Sequence, residues 1–192
     1  MSPKSDLPTI EFRDPEAWER WLHEHHTSSP GVWVKIAKKG APTPTVNHPQ
    51  ALEEAIRYGW IDGQKAGHDE HHWLQRFTPR GPRSKWSQVN RDKALELIAA
   101  GRMMPAGLEQ FEAAKRDGRI DDAYEPQSRA TVPDDFQQAL DADPAAAEFF
   151  ATLKGANRYA FLYRLHHVKK PDARAKRISM YIGMLGAGKT FH

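Results

Sequence analysis

The sequence of 192 residues contains no cysteine. Without cysteine the chain can form no disulfide bond, no thiolate nucleophile and no cysteine-ligated zinc or iron–sulfur centre. Apolar runs are also short, because the longest, residues 159–168, contains an arginine and two histidines. Such a run is well below the span of about 20 residues that crosses a bilayer. We therefore expect no redox chemistry by the protein itself and no membrane partner.

Several other signals are absent from the sequence. The first residues lack the basic region followed by an apolar segment that a secretory signal requires, so we expect a cytoplasmic protein. The motifs G-x-S-x-G, G-x-G-x-x-G and S-x-x-K do not occur, and serine nucleophiles and dinucleotide sites therefore have no local support. We expect no cofactor.

What the chain does contain is typical of a globular protein: 39% hydrophobic residues, 28% charged residues and six tryptophans. The net charge of +3 is a weak argument for a nucleic-acid partner. Charges are distributed in blocks: residues 74–91 carry five bases and no acid, 107–148 carry eleven acids and four bases, and 154–189 carry nine bases and one acid. This pattern predicts either pairing across the fold or a cationic face opposite an acidic one.

The order of residue patterns predicts an α+β fold. Asp14-Pro15 and Asn47 with Gln50 are typical helix starts. Residues 32–36, 60–64 and 72–77 alternate as strands, the last two as a hairpin. We expect a small three-stranded antiparallel sheet in the N-terminal part, followed by five or six helices. The loop at 123–133 predicts an α+β part at 1–125 and a helical part at 126–192, packed as one unit.

Two tempting motifs have simpler explanations. Residues 183–190, GMLGAGKT, satisfy the phosphate-loop pattern, but that loop must follow a strand, and the residues before it are typical of a helix. We therefore interpret the glycines as a helix C-terminus. The ten histidines lie in clusters such as 68–72, which match no zinc motif and which we interpret as a polar turn. We expect no metal site.

The segment from Arg76 to Arg91 has the chemistry of an anion site. Arginines can bind carboxylate or phosphate with two parallel hydrogen bonds, and Ser87 is placed to cap a helix whose free amides also attract anions. Asp62 could act as a general base or could cap a turn. The arginines could equally form a structural belt paired with the acidic segment. The candidate ligand-binding residues are Trp60, Asp62, Gln64, Arg76, Arg80, Arg83, Ser84, Trp86, Ser87 and Asn90.

The sequence carries the motifs GWIDG at 59–63, QRFTPR at 75–80, SKWS at 84–87, Asn90, GRM at 101–103, AGL at 106–108, AK-x-DGR at 114–119, AY at 123–124, VP at 132–133, FF at 149–150 and NR at 157–158. Together they resemble the bacterial YdeI/OmpD-associated, or bacteriocin-protection, family over almost the whole chain, from about residue 10 to residue 185. Ile120 departs from that pattern, because we expect tryptophan there in relatives. The resemblance implies protection against bacteriocins and a porin association, with no established reaction. Association with an outer-membrane porin would require export, and the sequence has no secretory signal, so we expect a cytoplasmic protein despite the porin in the family name.

Three functions stay open on these observations. The leading hypothesis is a stress-related or bacteriocin-protection-related protein that binds a small anionic or nucleotide-like ligand, with the arginines as anion contacts and Trp60 or Trp86 as stacking surfaces. The second is an enzyme that uses Asp62 as general base and the arginines as an anion clamp. The third is a nucleic-acid-binding protein that uses the basic segments. The oligomeric state is not predicted.

Overall fold

The computed structural model describes residues 7–191 and divides the chain into two compact units. The first unit contains the described residues through Trp86 together with Asn90–Ala123. The second contains Ser87–Val89 and the described residues from Tyr124 onward. The chain therefore passes from one unit to the other three times.

The first unit contains a sheet of four strands, β1 (Thr9–Glu11), β2 (Val32–Ala37), β3 (Trp60–Gly67) and β4 (His72–Pro79). The strand order is β1-β2-β4-β3. β1 runs parallel to β2, whereas β2 and β3 are both antiparallel to β4. The three predicted strands and their hairpin are confirmed, but the prediction of a purely antiparallel sheet of three strands is wrong. A strand of three residues gives little periodicity, and the pairing of β1 joins residues distant in sequence.

Four helices accompany the sheet: α1 (Pro15–His25), α2 (His48–Arg57), α3 (Gln88–Ala99) and α4 (Pro105–Arg116). The two predicted N-caps are confirmed. Asp14 accepts the backbone N–H of Ala17, and Asn47 forms a reciprocal capping box with Gln50. These bonds satisfy backbone donors that have no partner inside the helix. After α2, Gly59 adopts a φ of +74° that favours glycine and turns the chain into β3.

Two hydrophobic clusters form the core of the first unit. In one cluster, alternate residues of β2 pack against α1 and α2, as the period of two along a strand requires. In the other, Trp86 and Ile120 pack with residues of α3 and α4 such as Phe111. Ile120, the position where the family resemblance leads us to expect tryptophan, is thus a buried packing residue.

The second unit is helical over residues 134–186 and contains α5 (Asp134–Asp141), α6 (Pro144–Thr152), α7 (Gly155–His166) and α8 (Pro171–Gly186). Its core joins residues of all four helices, including Phe136, Phe150, Phe161 and Tyr181. Within residues 7–191 the α+β fold class is confirmed, with eight helices, of which six follow the sheet. None of these helices has the length and apolar character needed to cross a membrane.

The phosphate-loop pattern lies on α8 and the turn that follows it. The helix continues to Gly186, and the N–H of Lys189 donates to the carbonyl of Met184 at 2.9 Å. Gly188 has a φ of +65°. A helix that ends on a glycine in the left-handed region is an ordinary C-terminal cap, as predicted. No strand leads into these residues, so the geometry of a phosphate loop is not present here.

Candidate functional site

The two tryptophans expected to stack on a ligand lie in the core of the first unit. Trp60 is 1% exposed, and its indole N–H donates to the carbonyl of His26 at 3.2 Å. Trp86 is 2% exposed and packs edge-on against Phe111. Neither ring offers a face to a ligand, so the prediction of stacking surfaces is wrong for both. A tryptophan beside polar residues in sequence was mistaken for a surface aromatic.

Arg80 is directed inward. It is 5% exposed, its guanidinium carbon lies 3.6 Å from the ring centre of Trp86, and one terminal N–H donates to the carbonyl of Lys85 at 3.3 Å. Its backbone N–H donates to the carbonyl of Gly59 at 3.0 Å. These contacts tie the loop after β4 to the core. Arg80 therefore has the contacts of a structural residue, which was the alternative interpretation of the arginine segment.

The other predicted residues near Arg80 lie on different elements. Arg83 is exposed in the loop after β4, whereas Arg76 lies on β4 opposite Trp33. The hydroxyl oxygen of Ser84 accepts the N–H of Gly81 at 3.0 Å and organises that loop. Gln64 is exposed on β3. These residues therefore belong to three elements of the first unit, namely β3, β4 and the loop after β4.

The last two predicted residues lie at the start of α3. Ser87 immediately precedes the helix and forms a bridge with Tyr124 in the second unit. Asn90 is 7% exposed on the same helix and belongs to the first unit.

Asp62 has a partner that the sequence did not reveal. Its Oδ2 lies 3.1 Å from Nε2 of His48, the first residue of α2, and both side chains are about one quarter exposed. A register shift in β3 follows Asp62. The amide N–H of the buried Gln75 donates to the carbonyls of Gly63 and Gln64 at that shift. The bulge and the hydrogen bonds from Gln75 hold the Asp62 carboxylate in place, and this carboxylate orients the imidazole of His48.

The histidine-rich turn between β3 and β4 is organised by Asp69. Its Oδ1 accepts the N–H of His71 and of His72 and lies 2.9 Å from Nδ1 of His72. Partial desolvation acts to raise the pKa of Asp69, but the bonds from His72 and the two backbone N–H groups outweigh it and lower the pKa to about 2. These contacts fit the predicted polar turn.

The second unit contains a cavity of about 340 Å³, a size typical of small-ligand sites. Its wall combines aromatic, cationic and neutral polar groups from α7, α8, the segment at 124–133 and the start of α3. The lining residues are Gln88, Tyr124, Glu125, Ala130, Thr131, Pro133, Tyr159, Leu162, Tyr163, His166, Lys169 and Arg174.

Three tyrosines form the aromatic part of the cavity wall. The ring of Tyr163 meets Tyr124 edge-on at 4.9 Å and lies 5.7 Å from Tyr159. The hydroxyl of Tyr159 donates to the carbonyl of Glu125 at 2.7 Å. Burial raises the pKa of Tyr159 to about 12 and also raises that of Tyr163. Both phenols therefore stay neutral at physiological pH.

Polar contacts fix the remainder of the wall. The carboxylate of Glu125 accepts the N–H of Thr131 at 2.8 Å and its hydroxyl at 3.2 Å. Arg174 pairs with Asp135 through Nε at 2.5 Å and through a terminal N–H at 2.8 Å, and it donates to the carbonyl of Leu165. The hydrogen bond from Arg174 lowers the pKa of Asp135. An arginine held from two sides is preorganised.

The sequence did not single out this cavity. Tyr159 and Tyr163 are four residues apart and so share a face of α7, but they lie in the longest apolar run of the sequence, which gave no indication of a polar site. Lys169 and Arg174 were counted only as part of the basic stretch. The available signal was the combination of two tyrosines at helical spacing with cations just after the helix.

Two family models match two different segments of the chain. A model described as a domain of unknown function (DUF8412) matches residues 10–110, just over half of the chain. A second model, described as bacteriocin-protection, YdeI or OmpD-associated, matches residues 129–188. No curated protein and no solved structure matches the chain.

These matches confirm the family resemblance and correct its extent. The motifs at 59–108 lie within the DUF8412 match, whereas the YdeI/OmpD-associated match covers most of the helical unit. Both units therefore carry a family signature of their own. Residues 129–188 are similar to the YdeI/OmpD-associated family, and the chain belongs to the DUF8412 family through residues 10–110.

Proposed function

We propose that this protein binds a small organic anion in the cavity of its second unit. The observation that carries the proposal is the convergence of Lys169 and Arg174 with three tyrosines around one cavity of about 340 Å³. Cationic groups supply charge and direction, and aromatic rings supply apolar surface. A site that combines both selects an anion with an organic body over a bare inorganic ion.

The proposal keeps the ligand class expected from the sequence and moves the site. In the first unit Arg80 contacts Trp86 and Lys85, Arg76 lies on β4 and Arg83 is exposed in the loop after it. In the second unit the cationic residues lie on a concave surface. Convergent polar groups in a concave, partly apolar site are typical of a ligand site.

Arg174 is suited to this role by its own contacts. The Asp135 carboxylate holds its Nε edge, and the carbonyls of Leu165 and Val168 accept from another terminal nitrogen. Because the guanidinium is already fixed, a ligand does not have to order it, and less conformational entropy is lost on binding. Asp135 also offsets its charge, so we expect modest affinity.

Phenyl phosphate is a suitable probe, with inorganic phosphate as the comparison, in isothermal titration calorimetry and thermal unfolding. We expect saturable binding of phenyl phosphate, weaker binding of phosphate, and stabilisation by about 2.7 kcal/mol at 100 times the dissociation constant. Tyr163→Ala and Lys169→Ala should each weaken binding at least tenfold.

Lys176→Ala is the matched control, because Lys176 is an exposed lysine on α8 that does not line the cavity. It should bind as the wild type does. Equal losses in the Lys176 and Lys169 variants would show that only overall charge matters, and absence of binding by the wild type would overturn the proposal.

A further inference from the structure

A second hollow adjoins the cavity in the second unit. It is an open groove of about 770 Å³, lined mainly by residues of α5 and α8. Lys169 and Arg174 line both the groove and the cavity. The two hollows therefore meet at the cationic residues.

The groove and the cavity differ in chemistry. Apolar residues form much of the groove wall, and Asp143 and Ser179 add polar groups. The apolar lining residues are Ala139, Ala142, Pro171, Ala175, Ile178 and Ile182. The carboxylate of Asp135, at the end shared with the cavity, is paired with Arg174. Apolar surface beside a cationic end is complementary to a molecule that has an alkyl chain and an anionic head.

We propose that the ligand is an anionic amphiphile whose single anionic head lies at Lys169 and Arg174 and whose alkyl chain lies along the groove between α5 and α8. The proposal rests on the proposed function and names its ligand class. An alkyl chain in the groove would cover the partly buried Ile182 and lie over Ile178, which belongs to the buried core of the unit. The cavity then accepts the head group and its substituents.

The length of the ligand's alkyl chain tests this proposal. Each buried methylene contributes about 0.8 kcal/mol, so affinity should rise about fourfold per methylene until the groove is filled. Methyl, butyl and octyl phosphate, kept below their micelle concentrations, should show this trend in calorimetry. Octanoate in parallel distinguishes a carboxylate head from a phosphate head, and stronger binding of either, with the same dependence on chain length, supports the proposal.

A pair of variants locates the chain. Ala175→Gln places a polar side chain in the groove, whereas Ala173→Gln makes the same exchange at an exposed position of α8 that does not line it. Ala175→Gln should remove at least tenfold of the octyl phosphate affinity and leave methyl phosphate unchanged. Ala173→Gln should change neither.

The outcomes separate this inference from the proposed function. If affinity is independent of alkyl-chain length and phenyl phosphate still binds, the proposal of an amphiphilic ligand is overturned and the proposed anion site stands. A chain-length trend that survives in Ala175→Gln overturns the groove as the place of the chain. No binding of any phosphate monoester or of octanoate overturns both proposals.

Discussion

Nε2 of His48 and Oδ2 of Asp62 are 3.1 Å apart and join the first turn of α2 to β3. The sequence led us to consider Asp62 as a general base or a turn cap. In the structure the Asp62 carboxylate contacts the His48 imidazole, which is the geometry of an orienting group. That the protein is an enzyme with Asp62 as its general base stays a hypothesis.

We expect the His48–Asp62 pair to contribute measurably but weakly to stability. Partly exposed ion pairs and hydrogen bonds are typically worth up to about 1 kcal/mol. A double-mutant cycle with His48→Ala and Asp62→Ala, followed by urea unfolding, should give a coupling of about 0.5–1 kcal/mol. The same cycle with the exposed His23 in place of His48 should be additive. Additivity in both cycles would contradict the contact.

Substitution of alanine for two helical glycines should have opposite effects on the stability of the protein. A Cβ on Gly107 would overlap the carbonyl oxygen of Arg57 and lie 2.7 Å from that of Ile56. Since both contacts are with backbone, Gly107→Ala should destabilise the protein by about 1–3 kcal/mol or more. Gly183 on α8 has no atom within 4 Å of the same position, so Gly183→Ala should stabilise by about 0.5–1 kcal/mol. Urea unfolding of both variants checks this, and similar effects would contradict the close approach of α2 and α4.

The Asp135–Arg174 pair should make the second unit sensitive to acid. Arg174 lowers the pKa of Asp135 below its ordinary value of 3.8. The folded state therefore binds this proton less readily than the unfolded state, and the stabilisation is present above pH 3.8 and lost as the pH falls below it. We expect Asp135→Asn to lower stability at pH 6 and to flatten its dependence on pH below 4.

Urea unfolding followed by circular dichroism between pH 6 and pH 3 measures this effect. Asp134→Asn is the control, because Asp134 is the neighbouring exposed carboxylate and has no ion pair among the described residues. An Asp135→Asn variant with an unchanged acid profile would show that the pair does not contribute.

Tyr159 should make the protein sensitive to alkali. Burial raises its pKa from 10 to about 12, so between these values the unfolded chain loses a proton that the folded chain keeps. Stability should fall as the pH rises from 10 to about 12. Tyr159→Phe should reduce that fall and remove the late step from the tyrosinate absorbance titration. It also loses the hydrogen bond to Glu125, at a cost of about 1 kcal/mol. A late step that persists in the variant would assign it to another of the five tyrosines.

Features that depend on a few adjacent residues could be predicted. The helix starts at Asp14 and Asn47 were correct, because a cap is a contact between a side chain and an amide three residues later. β1 was missed, since nothing local in Thr9–Glu11 specifies its parallel pairing with Trp33 and its neighbours. The direction of a side chain was harder still, as Arg80 shows by turning onto Trp86.

The candidate site could not be predicted because its residues are scattered along the chain. Gln88, Glu125, Tyr159 and Arg174 come from four segments that meet only when the second unit is folded. Charge blocks gave a partial indication: pairing between the acidic segment and basic residues was one of the two alternatives, and Asp135 with Arg174 is such a pair. The cavity beside that pair is a product of packing.

The short piece Ser87–Val89 belongs to the helical unit although α3 continues in the other. The N–H of Gln88 donates to the carbonyl of Tyr124 at 2.9 Å, and Gln88 lines the cavity. A stretch cut at the family boundary, residues 129–188, would lack Gln88, Tyr124 and Glu125. The stretch of chain that the family model describes and the stretches that build the cavity wall are therefore not the same.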